Sequence, residues 1–307
     1  MGAFFFLPLV LPLTAWPIAR LAERHLHPRA TTRLLTCAAA VLALCSTLCL
    51  ALIMIVGTAL LPGNPLPDNW SHPGVRAAVP GDRVAGCVAA VALVAIAVGW
   101  GRALRDRRRI VHRVREALAV LPTGPVAVLP DERPYAFTLP GRPERIVVST
   151  GMLHSLTSRE RRVLFAHERA HVAGGHHRYL LIAQLAARAH PLLRPLHAAV
   201  TYHLERWADE EAARAVGDRR VTARAVGKAA LLGPAAGPLP AFAAPGPVPR
   251  RVAALLAPPP PSRIWPPTWT PTGLAAYMAA GGAAASAWSS LHAVSALIVI
   301  LHAAAAS

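Results

Sequence analysis

Hydrophobic positions in this chain are bunched into runs rather than spread with a helical or strand period. The first run, Ala3 to Ala19, reads AFFFLPLVLPLTAWPIA, and the second, Leu34 to Leu61, carries no charge. A third covers Val84 to Trp100, and a fourth lies within Leu274 to His302, where AVSALIVIL is the most apolar part. Crossing a bilayer core of about 30 Å takes roughly 20 apolar helical residues, so the second run is ample and the third sits near the lower limit. The first is broken by Pro8, Pro12 and Pro17. The pattern predicts spans at about 3–19, 34–61 and 84–100, and one more within 274–307.

Between the third and fourth runs the pattern changes. PVAVLP, YAFTLPG and RIVVSTG are short β-branched or aromatic pieces bounded by Pro and Gly, which is the signature of strands. The stretch TSRERRVLFAHERAHVAGG opens with Thr157 and has Glu160 three residues on, a capping box, and it stops at Gly174 and Gly175. A second helix is expected from about Leu196 to Val216, ending at Gly217. The organisation expected is a membrane part at 1–100, a soluble-looking part at 101–232, a Pro/Gly/Ala-rich linker at 233–273 containing the short helix PRRVAALLA, and the last span at 274–307.

Composition and charge set orientation. Hydrophobic residues make up 54% of the 307 and charged residues only 15%, yet the net charge is +17. Lys228 is the only lysine, so arginine carries the excess. The arginines cluster beside apolar runs, where the positive-inside rule accounts for them, and direct nucleic-acid binding is not expected. No side-chain charge precedes the first run, whereas Arg20, Arg24, Arg29 and Arg33 follow it, the reverse of a signal peptide. The segment GRALRDRRRIVHRVR holds seven Arg against one Asp, while the turn-rich loop before the third run balances two of each. The expectation is a multi-pass cell-membrane protein with both termini outside, the 101–232 part in the cytoplasm, and Arg102 to Arg115 able to touch anionic headgroups of the lipid bilayer. Cys37, Cys45, Cys49 and Cys87 lie in apolar runs and read as small buried hydrophobes.

The chemistry sits in HERAHVAGGHH, His167 to His177. Residues four apart on a helix share a face, so His167 and His171 can reach one ion, with Glu168 about 100° round and placed to act as the base. Gly174 and His177 also complete a metzincin spacing, in which His177 would be the third ligand. That arrangement needs a methionine turn downstream, and the methionines are Met1, Met54, Met152 and Met278, none suitably placed. Glu205, on the following helix, is the favoured third ligand of a His2Glu zincin site, with Asp209 four residues on to accept a ligand histidine's spare N–H. His177, His176, His203, Asp209 and Glu210 stand as alternatives, and the plain reading of ERWADEEAAR is a solvated face of i, i+4 charge pairs. One Zn2+ per chain is the expected cofactor. The strand residues Ile146, Val147, Val148 and Ser149 could pair with an extended peptide substrate or simply form sheet core. Tyr202, His203, Arg214 and Arg224 are all candidates for an oxyanion stabiliser, and His176 and His177 read as surface residues past a helix end.

The segment YAFTLPGRPERIVVSTGMLHSLTSRERRVLFAHERAH, followed by ERWADEEA, resembles the integral-membrane gluzincin peptidases of the BlaR/MecR antirepressor type, and more distantly the HtpX and Ste-type CAAX proteases. The resemblance implies a mainly α membrane protein with four transmembrane helices and a cytoplasmic α+β gluzincin domain between the third and fourth. It implies Glu168 as catalytic residue and His167, His171 and Glu205 as metal ligands, with Asp209 behind them. The function implied is a zinc metalloendopeptidase cutting cytosolic or membrane-proximal proteins, with a winged-helix repressor as a candidate partner. An extracellular sensor domain is not expected, so antibiotic sensing is not carried over. HtpX-like quality control of membrane proteins is the second enzymatic reading. A non-catalytic membrane signalling protein with a vestigial zinc site is the reading from another class, against which Glu168 argues, since a structural site needs no base.

Overall fold

The computed structural model describes residues 7–59, 83–119, 121–122, 124–141, 144–232, 247–260 and 269–306. The expected outer loop between the second and third runs, and most of the Pro/Gly/Ala-rich linker, lie outside these residues. A short helix α1 (Leu7–Val10) leads through a 3-10 turn (Leu11–Thr14) into α2 (Ala15–His25). The prolines therefore divide the first apolar run into separate pieces, because each lacks the N–H and clashes with the preceding turn. Helix α3 (Pro28–Thr58) opens on a proline, where no N–H is needed, and α4 covers Arg83–Leu118.

Among the described residues, α3 and α4 are the two helices long and apolar enough to cross a membrane. They meet at glycine: a Cβ on Gly86 would lie 2.6 Å from the Cα of Gly57, so only the bare backbone permits this approach. On its outer side α4 carries Val84, Val88, Val91, Val94 and Val98, which are 44–71% exposed. Their three- and four-residue spacing makes one apolar stripe that is unpartnered among the described residues, the face a bilayer would cover. The helix does not end at Trp100 but continues through the arginines for another 18 residues.

That continuation supports a three-stranded sheet of β1 (Val126–Leu129), β2 (Ala136–Leu139) and β3 (Arg145–Ser149), in the order β1-β3-β2. β3 runs parallel to β1, with Val126 opposite Ile146, and antiparallel to β2, with Phe137 opposite Val147. One face of the sheet, with Phe137, Leu139 and Val147, packs on Ile110, Val111 and Val114 of α4. Val148 on the other face joins Met152 and Leu156 of the α5 (Thr150–Ser155) region and Leu164 and Phe165 of α6 (Ser158–Gly174). The suggestion that Ile146 to Ser149 could receive a peptide by strand addition is corrected here. β3 is central and bonded on both sides, so these residues are sheet core, and the edge beside the metal helix belongs to β2.

Helix α6 has its full capping box, with Thr157 Oγ1 accepting from the Glu160 N–H and Glu160 Oε2 accepting from the Thr157 N–H. It stops at Gly175, whose φ of 59° suits glycine. Then follow α7 (His176–Ala189), α8 (Arg194–Val216), α9 (Arg219–Leu232), α10 (Val248–Leu256) and α11 (Pro271–Ala306). Leu35 and Leu42 of α3 share one core with Ala183 and Ala186 of α7 and with Leu196, Val200, Leu204 and Trp207 of α8. The helix that carries Glu205 is thus packed directly on the apolar N-terminal helices, and residue 100 is no packing boundary.

Candidate metal centre

Helix α6 presents His167 and His171 on one face, one turn apart, and α8 crosses it with Glu205 opposite. The His167 and His171 Nε2 atoms are 3.1 Å apart. Glu205 Oε2 lies 3.5 Å from His167 Nε2, and its Oε1 lies 3.6 Å from His171 Nε2. Zinc bonds of about 2.0–2.2 Å at tetrahedral angles put ligand atoms roughly 3.4 Å from one another, so these separations fit a single zinc ion. Among the described residues this is the group whose donors converge closely enough to hold a metal.

The surroundings fix which lone pairs face inward. His167 Nδ1 lies 3.2 Å from Asp209 Oδ1, and a carboxylate can only accept, so the proton is on Nδ1 and Nε2 is free to ligate. His171 Nδ1 lies 2.8 Å from His176 Nδ1, so a second imidazole takes the corresponding role. His176 is 3% exposed, its ring packed at a tilt against Trp207 of α8 with 4.4 Å between ring centroids. The reading of His176 as a surface residue is corrected: α7 starts with no intervening loop and tucks the ring behind His171. Gly174 makes this possible, because a Cβ there would overlap the His176 ring.

Glu168 is buried, and its Oε2 accepts a 2.8 Å hydrogen bond from Thr138 Oγ1 on β2. The carboxylate is thereby fixed beside the metal-facing histidines. Arg251, on α10 more than forty residues downstream of Glu205, closes the other side. Its Nε and Nη2 donate to both oxygens of Asp209 at 2.8 and 2.7 Å, and its Nη1 is 3.0 Å from Glu205 Oε2. Arg219 in turn donates to the Leu255 and Ala254 carbonyls at the end of α10 and pairs with Glu210.

Charge bookkeeping agrees with the distances. With both imidazoles neutral, as ligation requires, Glu168, Glu205 and Asp209 against Arg251 leave two negative charges around the cluster, the complement of a divalent cation. The same field acts on protons. Burial alone would depress His167, but its bonds to Asp209 and Glu205 push it up to about 10. His171 is lowered by burial and by neighbouring His167. Burial would raise the carboxyls of Glu205 and Asp209, yet Arg251 and the histidines hold both below their ordinary range.

Residues 102–194 match the model of peptidase family M48. The match supports a zinc metallopeptidase family. It runs from the arginine-rich half of α4, through the strands and α6, to the first residue of α8. Glu205, Asp209 and Arg251 therefore lie beyond the matched segment. No curated protein and no solved structure matches the chain.

The structure brings together His167, Glu168, His171, Glu205 and Asp209. It leaves His177 outside, 3.8 Å from Glu144. His203 is buried away from the cluster against Tyr202, Glu210 pairs with Arg206 and Arg219, and Arg214 pairs with Glu211 on the surface. Thr138 and Arg251 were not singled out from sequence. Thr138 sits in an ordinary strand pattern, and Arg251 is one arginine among many in a segment that only the fold returns to the site.

Proposed function

We propose that this chain is a membrane-anchored zinc-dependent endopeptidase that cuts cytosolic or membrane-proximal proteins. The reading takes four spans, with both termini outside and the metal centre on the cytoplasmic side. The observation that carries it is the convergence of His167, His171 and Glu205 at zinc-like donor separations with Glu168 held alongside. His167, His171 and Glu205 would hold one Zn2+, whose chemistry when bound is to polarise a carbonyl and acidify water.

The chain's own groups supply the rest. Glu168 takes the proton from the attacking water at its carboxylate and returns it to the departing amine nitrogen. Thr138 keeps that carboxylate from rotating away while it is negative. Asp209 and His176 hold the ligand rings in the tautomers that aim Nε2 inward. An extended substrate has a place along β2 (Ala136–Leu139), the sheet edge nearest Glu168, where main-chain pairing would carry its carbonyl past the base.

A winged-helix repressor is a candidate substrate on resemblance alone. Quality control of membrane proteins is the alternative, favoured by the shared core between the metal-bearing helices and the apolar N-terminal ones. The test is on the detergent-purified full chain. Elemental analysis should find about one zinc per chain, lost in Glu205→Ala and kept in His177→Ala. Glu168→Gln should keep zinc and lose cleavage of an unfolded protein by about 10²- to 10⁴-fold. Full cleavage by Glu168→Gln, or zinc retained by Glu205→Ala, overturns the assignment.

A further inference from the structure

A cavity of about 520 Å³ opens between α6, the end of α8 and the start of α9. Phe165, Ala166, Val216 and Val221 form its apolar floor, and Arg159, Arg162 and Arg169 stand on its rim. Arg162, Phe165 and Arg169 follow one another at three and four residues, a single stripe of α6. At 100° per residue that stripe points roughly opposite to His167 and His171, so the cavity is not part of the catalytic cleft.

All three arginines are exposed, and none has a carboxylate partner among the described residues. The rim's one acid, Asp218, is already engaged, its Oδ1 accepting from the Arg220 and Val221 N–H groups at the start of α9. The first turn of α6 contains only Glu160 as an acid, and that of α9 contains none. Glu160 closes the capping box of α6 and Asp218 caps α9, so both helix starts are already satisfied, and the charge the rim still offers to an anion is that of its three guanidinium groups.

We infer that this cavity is a docking site for an acidic, amphipathic segment of another protein, apart from the cleavage centre. Arg159 and Arg169 are ten residues apart, about 15 Å along the helix, too far for one phosphate to bridge but matched by some four or five extended residues. An apolar floor between the charges asks for an apolar side chain among the acids. The chain's own later part cannot supply the occupant, because none of residues 219–307 is acidic. The far end of α8 is the part packed on α3, so the cavity faces away from the apolar bundle and toward soluble partners.

The test is fluorescence anisotropy with a fluorescein-labelled Glu/Leu peptide and the full-length Glu168→Gln chain in detergent, which binds without cutting. Arg159→Glu/Arg162→Glu should weaken binding by about tenfold or more and flatten its salt dependence, while Arg105→Glu/Arg109→Glu on α4 should leave it within about twofold. The reversal places one acid in the first turn of α6, at 159, and the other at exposed position 162 just past it, where neither opposes the helix, so loss of binding is not loss of fold. Equal affinity in the two double variants overturns the site. Equal binding of a peptide of Glu alone removes the apolar floor from the recognition and overturns the occupant. Displacement of the peptide by phosphatidylglycerol vesicles, sensitive to the same variant, overturns it in favour of a lipid surface. The assay reads binding only, so its failure leaves the peptidase reading untouched, and an inactive metal centre would not explain it.

Discussion

Removing Arg251 tests whether the metal centre depends on a helix far outside its motif. Arg251 is 10% exposed and holds Asp209, which is 0% exposed, through two hydrogen bonds, and Glu205 through a third contact. Two effects of opposite sign follow from Arg251→Ala. Losing a positive charge near a dication favours metal binding. Stripping the guanidinium from buried Asp209 and partly buried Glu205, however, costs about 3–5 kcal/mol in comparable pairs, which the chain escapes by protonating Asp209 or letting it turn away from His167. Either escape leaves the His167 N–H unheld, and loss of such an outer partner typically weakens zinc about 10- to 100-fold. We expect the second effect to win, since Asp209 has no solvent to turn to. The assay is zinc competition against a chromogenic chelator on the full chain, with the cobalt absorption spectrum reporting coordination. Arg251→Lys keeps the charge without the planar fork and should fall between wild type and Ala. Unchanged or tighter zinc in Arg251→Ala would refute the reasoning, and full rescue by Lys would show that charge alone, not geometry, is what α10 contributes.

Three further outcomes follow. Thr138→Val should leave zinc binding intact and lower peptide cleavage by about tenfold or more, the loss expected from one hydrogen bond to a charged group, read as kcat with metal content measured in parallel. Gly174→Ala should displace the His176 ring, which cannot retreat between Trp207 and His171, at a cost of about 1–3 kcal/mol and with weaker zinc; unchanged zinc affinity would mean that His176 does not hold His171. Burial would raise Glu160, but the Thr157 N–H and Lys228 outweigh it, so its folded carboxyl titrates below the usual value. Its contribution is therefore present above the unfolded carboxyl's range and lost as pH falls through the lowered folded value. The melting difference between wild type and Glu160→Gln should be seen at neutral pH and vanish in that acid window.

What could be read from sequence divides by the range of the interaction. The capping box at Thr157 and Glu160, the stop at Gly175, the three short strands and the end of α8 at Gly217 are local, each written within a few residues. That His167, Glu168 and His171 share one helix was legible for the same reason, since little more than one helical turn carries all three. Helices α7 and α9 were not foreseen: HHRYLLIAQLAARA follows the Gly174 and Gly175 stop with no intervening loop to announce a new element, and its packing on α3 and α4 is long-range. Strand order was illegible too, since nothing local says that β3 sits between β1 and β2.

Arg251 shows why the remainder of the site could not be read forward from the motif. A solvated pair of acids at Glu205 and Asp209 would need no distant partner, and their i, i+4 spacing alone suits such a pair. Once α8 is pressed between α6 and α10, both carboxylates leave water, and a fixed positive charge must come from whichever segment covers them. The short helix 248–256 meets that need because Arg219 grips its last carbonyls while Arg251 enters the site. With both imidazoles neutral, two negative charges still remain around His167 and His171 after Arg251 is counted, so α10 neutralises the outer side of the acids and leaves the inner side for a cation. A neutral residue at 251 would leave Asp209 buried without its counter-charge, and an acid there would deepen the excess beyond what one divalent ion balances. The arginine is therefore set by the charge of the site, not by the helix that carries it.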